Sequence, residues 1–258
     1  MMSEPHQPPY QLVRRHDSGL YGVVWEGEQT RLSRKVALKV IKVEMSHMAS
    51  AVDHARALAR LNHPNIVTVH DVVSIDVPGE GSHEAACMEW LEGETVGKIL
   101  ERGGIEQKTI VRIMRAVIEG LKYMHENGTF HSDLHPGNVL VGENFVKIID
   151  VDAITSNSLA RQSTMTIEAK RMQDIGYVVG MLRSMVNRCR MDLSHHQKLL
   201  NELGSVQSLD AILDAVGLIG GDVQQSNVNM GSKTGEGIKQ LQDLDLSEQD
   251  IQVLRIMG

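Results

Sequence analysis

The order of apolar and polar positions divides the chain into a strand-rich first part and a helical second part. From Gln11 to Val43 the sequence holds short β-rich runs, and apolar and polar residues alternate most clearly from Lys35 to Val43. This period of two predicts strands. Residues 49–61 instead carry alanine and leucine at helical spacing, which predicts a helix. The proline in His63-Pro64-Asn65 is expected to end it.

Two more strands, Ile66 to Ile75 and Ala85 to Trp90, complete the first part, with a glycine- and proline-containing loop from Val77 to Ser82 between them. The strongest helical stripe follows. From Glu106 to Glu126, isoleucine, methionine, valine and leucine recur every three or four residues. Asn127-Gly128 predicts a left-handed cap at its end.

The remaining pattern is less regular. Phe130 to Asp152 predicts short strands and tight loops, whereas Arg171 to Val186 and Gln197 to Val216 have helical spacing. Gly217 to Gly235 is rich in Gly, Asn, Ser and Gln, so it is interpreted as a loop or linker. Near the end, Ser247 and Asp250 have the spacing of a capping box for a short helix.

These elements predict an α+β fold of two packed units, or lobes: a small β-rich first lobe with one main helix, at 11–91, and a mainly helical second lobe, at 92–216. Residues 1–10 are expected to be a disordered N-terminal segment, and 217–258 a C-terminal linker with a short helix. A cleft between two such lobes is where ligands commonly bind.

Composition excludes several classes of function. The net charge is −7 and there is no basic tail, so we expect no nucleic-acid partner. Only Cys87 and Cys189 are present, far apart, which favours a reducing compartment. The start of the chain lacks the pattern of a signal peptide, and the most apolar run, Ile175 to Val186, is too short for a bilayer. We therefore predict a cytoplasmic protein without a membrane partner.

Two motifs in the first part could contact phosphate. Gly19 and Gly22, within Asp17 to Val24, would let backbone amides approach an anion closely, although glycines in hairpins are more often plain turn residues. Lys39 ends the apolar run Val36-Ala37-Leu38. It could bind phosphate, or it could be an outward-facing lysine on a strand.

The strongest local signal is the string from His131 to Asn138. It places Asp133 and Asn138 five residues apart across a proline-glycine turn. The carboxylate could accept a hydroxyl proton and the amide could hold a metal ion; the alternative is a turn stabilised by side-chain hydrogen bonds. Asp150, at the end of the apolar run from Val146 to Ile149, suits magnesium, and Asp152 is favoured as a solvated loop charge.

Together these strings resemble the protein kinase family. The run ending at Lys39 is similar to the third-strand lysine motif of that family, and His63-Pro64-Asn65 is similar to the segment after its αC helix. Met88 to Gly93 resembles its hinge, and Asp174-Ile175-Gly176 the start of its αF helix. The similarity covers about Leu12 to Val186 and implies a bilobal protein kinase-like fold, in which 11–91 is the N-lobe and 92–216 is a reduced, mainly helical C-lobe.

The resemblance also implies roles for individual residues in binding ATP and Mg²⁺, with Mn²⁺ as a possible substitute. Lys39 would contact the α- and β-phosphates, and Asp133 would orient the acceptor hydroxyl. Asn138 and Asp150 would bind the metal. The glycine loop would supply Gly19 and Gly22, and the adenine would lie among Val24, Ala37, Met88, Glu89, Leu91 and Leu140.

The chain departs from the family pattern at several positions. Asp17 replaces the first loop glycine, and the glutamate expected to pair with Lys39 aligns with His54, beside Asp53. Ser132 replaces an arginine, and His135 a lysine. The segment after Asp150 is short and lacks an Ala-Pro-Glu motif.

Three functional hypotheses therefore stay open. The first is a Ser/Thr protein kinase, which is a transferase with a protein hydroxyl as acceptor. The second is a kinase of small hydroxyl-bearing metabolites, of the aminoglycoside or choline kinase type, to which the string from Asp133 to Asn138 is more similar. The third is a catalytically weak scaffold of the pseudokinase type that binds nucleotide.

Overall fold

The structure is a computed structural model of the whole chain. It describes residues 8–19, 22–41, 57–149, 154–155, 166–189, 198–199, 201, 203–204 and 206–220. Within these ranges, no helix combines the length and the apolar character needed to cross a bilayer.

The first part of the chain forms an antiparallel sheet of five strands in the order β1-β2-β3-β5-β4. The strands are β1 Tyr10–Gly19, β2 Gly22–Gln29, β3 Arg34–Ile41, β4 Val69–Val77 and β5 Gly81–Glu89. Alternation accounts for this sheet, since Val36, Leu38 and Val40 are all buried on one face of β3.

Three polar side chains, those of Tyr10, Asp71 and Gln29, are joined by hydrogen bonds beside the apolar core of this sheet. The Tyr10 hydroxyl donates to Asp71 Oδ2 at 3.2 Å and accepts from Gln29 Nε2 at 3.1 Å. Burial raises the pKa of Tyr10 to about 12 and that of the neighbouring Cys87 thiol to about 11. Cys87 is therefore a protonated core residue at neutral pH, without the thiolate that a reactive cysteine needs.

The second part is mainly helical. Its helices are α1 Val96–Arg102, α2 Gln107–Glu126, α3 Ile167–Arg188 and α4 Leu209–Gly220. Its short strands are β6 Glu94–Thr95, β7 Thr129–Phe130, β8 Val139–Val141, β9 Val146–Ile148 and β10 Ile154–Thr155. Thr95 and Thr166 cap α1 and α3 by accepting backbone amides with their hydroxyls.

Helix α2 is the centre of the helical part, because its apolar stripe is almost fully buried and both α3 and α4 pack on it. Gly120 lets α2 approach the loop before β4. A Cβ there would lie 3.0 Å from Ile148 and 3.3 Å from the Asn65 carbonyl oxygen. Ile148 also makes two backbone hydrogen bonds with this loop: its amide donates to the Asn65 carbonyl, and its carbonyl accepts from the Val67 amide. Strand β9 thus joins the helical part to the chain entering β4.

Most predicted elements of the described residues are confirmed, with differences at their ends. The mixed α+β class is confirmed, and so is the left-handed end of α2, where Gly128 has φ 64°. The strand predicted to start at Ile66 begins at Val69, because the backbones of Asn65 and Val67 bond to Ile148 of β9 instead. Of the helix predicted at 49–61, only Ala57 and Leu58 lie in the described residues as helix.

The prediction at the C-terminal end of the helical part was wrong in two respects. The helix expected from Gln197 to Val216 is interrupted, because Gly204 forms a turn and Ser208 starts α4 by accepting the Ala211 amide. Gly217 to Gly220, expected to lie in a loop, instead belong to α4. Burial of Val216 and Ile219 outweighs the low helix propensity of the glycines. The capping box at Ser247 lies outside the described residues.

Candidate active site

Strands β2 and β3 bring three of the predicted nucleotide-binding residues onto one face of the sheet. Val24 lies directly opposite Lys39, and residues directly opposite each other in an antiparallel pair share a face. Ala37 is two residues before Lys39, so it lies on that face too. Both side chains of β3 are partly buried. The lysine therefore projects from the same surface as the two small apolar residues, where a base and its phosphates could lie side by side.

The glycine loop is described only at its two ends. Gly19 and Gly22 are directly opposite each other at the end of the β1–β2 hairpin. Leu20 and Tyr21, between them, lie outside the described residues, as do the predicted αC residues Asp53 and His54. The register places this hairpin end next to the Val24–Lys39 pair, so its position fits a phosphate-covering loop.

The predicted hinge follows directly from β5. Met88 is buried and lies directly opposite Ala37, so its side chain is on the same face of the sheet as Ala37 and Lys39. Glu89 ends the strand, and its amide donates to the Thr68 carbonyl at 3.0 Å. Leu91, two residues further on, is partly buried against the main core. The segment thus leaves the sheet beside the face that carries Val24, Ala37 and Lys39, here called the nucleotide face, and enters the helical part.

A salt bridge joins this hinge to β9. Lys147 Nζ lies 2.5 Å from Glu89 Oε1, and the same carboxylate oxygen accepts the Thr68 amide at 2.7 Å. The side chains are only 13% and 23% exposed. Lys147 Nζ also donates to the Ile66 carbonyl at 3.4 Å. The pair therefore fixes the end of β5 against the strand that leads to Asp150.

The same strand pair directs Leu140 toward the hinge. Leu140 on β8 lies opposite Lys147 on β9, so the two side chains share a face of this hairpin. Because Lys147 reaches Glu89 from that face, Leu140 is turned toward the segment that carries Glu89. This position is suitable for an apolar residue that would lie under an adenine ring.

The turn between β7 and β8 holds two of the predicted catalytic groups together. Asn138 is buried, and its Nδ2 donates to the backbone carbonyl of Asp133 at 3.0 Å. With the amide nitrogen used in this way, Oδ1 is the atom left to meet a cation, and oxygen is what Mg²⁺ prefers. His135 caps the turn, since its Nδ1 accepts the Gly137 amide at 3.0 Å.

The turn is also tied to the approach to Asp150. The Ile149 amide donates to the Asn138 carbonyl at 2.8 Å. Asp150 itself lies outside the described residues, as does Asp152, so its part in a metal site stays a prediction. For a divalent cation, the turn therefore offers the side-chain oxygen of Asn138. The sequence adds the carboxylate of Asp150, which directly follows Ile149.

Asp174 on α3 supports the turn that carries the predicted catalytic residues. Its carboxylate is fully buried and accepts three hydrogen bonds: from the His131 amide at 3.0 Å, from the Ser132 amide at 2.9 Å, and from His125 Nε2 at 2.9 Å. Because a carboxylate can only accept, Nε2 of His125 carries the proton. Ser132 has φ 67°, a conformation that non-glycine residues rarely adopt. The hydrogen bond from its amide helps to hold that strained residue.

Sequence reasoning missed two of these supports. Asp174 was noted only as the start of a helix, whereas α3 begins at Ile167 and Asp174 lies well inside it. The sequence signal for Asp174 is its helical spacing from Val178, Met181 and Met185, which form the buried stripe of α3. An acidic residue on such a stripe must be paired. The Glu89–Lys147 pair had a weaker signal, namely a lysine between two buried residues of β9.

Comparison with known proteins agrees with this geometry. The family model described as "Protein kinase domain" matches residues 10–171. The chain belongs to the protein kinase family. The prediction of a protein kinase-like fold is therefore confirmed. The kinase match begins with β1 and ends inside α3, so it includes every predicted site residue.

The kinase is similar to several bacterial serine/threonine kinases. It is 36% identical to serine/threonine-protein kinase PknA of Mycobacterium tuberculosis (strain H37Rv) over 137 residues, which are 51% of this chain and 32% of PknA. It is 31% identical to serine/threonine-protein kinase pkn2 of Myxococcus xanthus over 138 residues, 52% of this chain and 16% of the relative.

A third relative is the probable serine/threonine-protein kinase PknB of Bifidobacterium longum, 30% identical over 151 residues, 55% of this chain and 22% of PknB. The chain thus spans about a third or less of the length of these curated relatives. The prediction that the chain is a member of the protein kinase family is confirmed, and the serine/threonine acceptor stays a prediction.

The bridge between hinge and β9 makes a testable contribution to the stability of this kinase. Replacing Lys147 by methionine leaves the partly buried Glu89 carboxylate without its cation, so we expect the free energy of unfolding to fall by about 2 kcal/mol. The Glu89→Gln/Lys147→Met double variant should recover at least half of that loss, since no charge stays unpaired. Urea unfolding of the two single variants and the double variant measures the coupling. Additive losses would show that the pair does not interact in solution.

Proposed function

We propose that this chain binds ATP with Mg²⁺, or Mn²⁺ in its place, and transfers the γ-phosphoryl group to a serine or threonine hydroxyl of a protein. The observation that carries the proposal is the Asp133–Asn138 turn, in which a hydrogen bond of 3.0 Å holds the candidate proton acceptor and the candidate metal ligand together. Family membership and the similarity to serine/threonine kinases support the choice of acceptor. A cytoplasmic location is part of the proposal and is supported by the two free cysteines.

The residues of the nucleotide face fit an adenine nucleotide. Val24 and Ala37 form an apolar surface that would pack on a base, and Lys39 projects from the same face, where its ammonium would neutralise phosphate charge. Backbone groups of Glu89 and Leu91 would read the edge of the base, with Met88 behind it. Gly19 and Gly22 would let the β1–β2 hairpin approach the phosphates.

The residues of the turn fit the metal and the acceptor. Bound Mg²⁺ would supply charge neutralisation at the phosphates. Asn138 Oδ1 and the Asp150 carboxylate would hold it there. Asp133 would accept a hydrogen bond from the incoming hydroxyl and orient its oxygen for attack. It would take the proton as the new bond to the γ-phosphorus forms and the bond to the β–γ bridging oxygen breaks, which releases ADP. The support from Asp174 would keep this carboxylate at a fixed position during the reaction.

A radiolabelling assay tests the proposal. The purified chain is incubated with Mg²⁺ and ATP labelled at the γ-phosphate, alone and with a generic protein substrate, beside Lys39→Ala and Asp150→Ala variants. We expect labelled protein with the natural sequence and background label in both variants. Nucleotide loss that requires an added hydroxyl metabolite would instead support a small-molecule kinase. Binding of ATP without any transfer would support a nucleotide-binding scaffold and contradict the proposal.

A further inference from the structure

Trp90, in the hinge just after β5, is contacted by side chains from two strands of the sheet. The centroid of its ring lies 5.4 Å from that of His16 on β1, and the two planes meet at 77°, an edge-to-face arrangement. Lys35 Nζ on β3 lies 6.0 Å from the centre of the tryptophan ring. These distances fall within the range in which ring pairs and cation–ring pairs attract. The indole ring of Trp90 thus connects the hinge to β1 and β3.

Lys35 is held in this position by a carboxylate on the strand between β1 and β3. Glu26 is only 8% exposed; its Oε1 accepts from Lys35 Nζ at 3.0 Å and its Oε2 from Arg14 Nη2 at 2.9 Å. The hydrogen bond from Lys35 lowers the pKa of the Glu26 carboxyl, which is therefore charged at neutral pH. Glu26 lies opposite Ala37, on the nucleotide face. The cluster therefore lines the end of that face nearest the hinge.

His16 matters because of its place in the chain. It is the residue before Asp17, where the predicted phosphate-covering loop begins. Asp17 brings a carboxylate where a glycine would have left an open backbone, so this loop has less intrinsic attraction for phosphate. A contact that fixes the end of β1 in advance reduces the conformational entropy that ligand binding costs there.

We propose that His16 is a positioning residue for the nucleotide: its ring contact with Trp90 holds the end of β1 over the hinge and thereby raises the affinity for adenine nucleotide. The inference rests on the proposed function, because it requires a nucleotide in the cleft. His16 acts through Trp90 and the loop, so its removal weakens nucleotide binding and leaves the chemical step at saturating nucleotide unchanged.

The test uses the fluorescence of Trp90. The chain has two tryptophans, so a Trp25→Phe background leaves Trp90 as the only one, and its emission is followed during titration with MgADP. In that background we expect His16→Ala to raise the dissociation constant by about three- to tenfold, the equilibrium equivalent of one ring contact. His16→Phe, which keeps a ring, should restore the affinity to within about twofold. Arg15→Ala, at an exposed neighbour on β1, is the matched control.

Steady-state kinetics in the natural sequence supplies the second measurement, which does not depend on the Trp25→Phe background. The KM for ATP should rise with His16→Ala by the same factor, with kcat unchanged. Affinity that is equal in His16→Ala and the parent overturns the inference, and so does a loss that His16→Phe fails to restore or a fall in kcat alone. If the parent itself binds no MgADP, the proposed function fails, and this result is distinguishable from failure of the positioning role alone.

Discussion

Replacing Asp174 by alanine should lower the free energy of unfolding by about 3–5 kcal/mol. The carboxylate is fully buried, so its removal leaves three donors without their acceptor: the amides of His131 and Ser132 and Nε2 of His125. Each buried donor left unsatisfied costs about 1–3 kcal/mol. The left-handed conformation of Ser132 also loses the acceptor that helps to hold it.

The measurement is urea unfolding followed by circular dichroism, with Glu168→Ala as the matched control. Glu168 is an exposed carboxylate in the first turn of the same helix, and surface substitutions of this kind usually change stability by less than about 0.5 kcal/mol. The stability of Asp174→Asn should lie between those of Asp174→Ala and Glu168→Ala. The amide oxygen can still accept a hydrogen bond, but the amide NH2 group then faces other donors. Equal midpoints for Asp174→Ala and Glu168→Ala would mean that Asp174 does not support the turn.

The elements that sequence predicted best are those whose pattern is set by burial alone. Helix α2 shows this most clearly, since the stripe from Ile110 to Met124 faces the core on every turn and Gly128 ends it with φ 64°. The alternation of β3 was equally informative, because its buried residues all lie on one face. In both cases the local period and the tertiary environment require the same arrangement.

The ends of elements and the choice of partners were less predictable, because they depend on contacts between distant residues. Nothing local in Ile66 excludes a strand of the main sheet; it is the bond between Ile148 and Asn65 that takes this loop to β9. Likewise, glycine at 217 indicates a loop by propensity, yet burial of its neighbours keeps α4 helical there. Periodicity reports which face is buried and says nothing about what lies against it.

The candidate site divides in the same way. Asp133 and Asn138 could be found from sequence because one short turn carries both, and the hydrogen bond between them is local. Lys39 could be found from its position in an apolar strand. The pairing of Glu89 with Lys147 joins residues 58 apart in the chain, and that of Asp174 with His131 joins residues 43 apart. The candidate catalytic groups lie in recognisable strings, whereas the groups that hold them in place are distributed over the fold.

Replacing Asp133 by asparagine should reduce phosphoryl transfer at least about 100-fold while leaving nucleotide affinity and thermal stability nearly unchanged. The substitution replaces the carboxylate, which is the candidate proton acceptor, by an amide of the same shape. Two hydrogen bonds that hold Asp133 in the turn are made by its backbone: its carbonyl accepts from Asn138 Nδ2 at 3.0 Å, and its amide donates to His131 Nδ1 at 3.4 Å. An amide of the same shape therefore preserves the turn and removes the base.

The kcat with saturating ATP and protein substrate, the dissociation constant for MgADP and the melting temperature are measured together, with the exposed Asp76→Asn as the control for loss of one negative charge. This combination separates the catalytic role from the supporting one, because loss of Asp174 lowers stability and activity together, whereas loss of the Asp133 carboxylate lowers activity alone. Transfer by Asp133→Asn at the rate of the natural sequence would exclude Asp133 as the base. The turn would then serve only to bind nucleotide and metal.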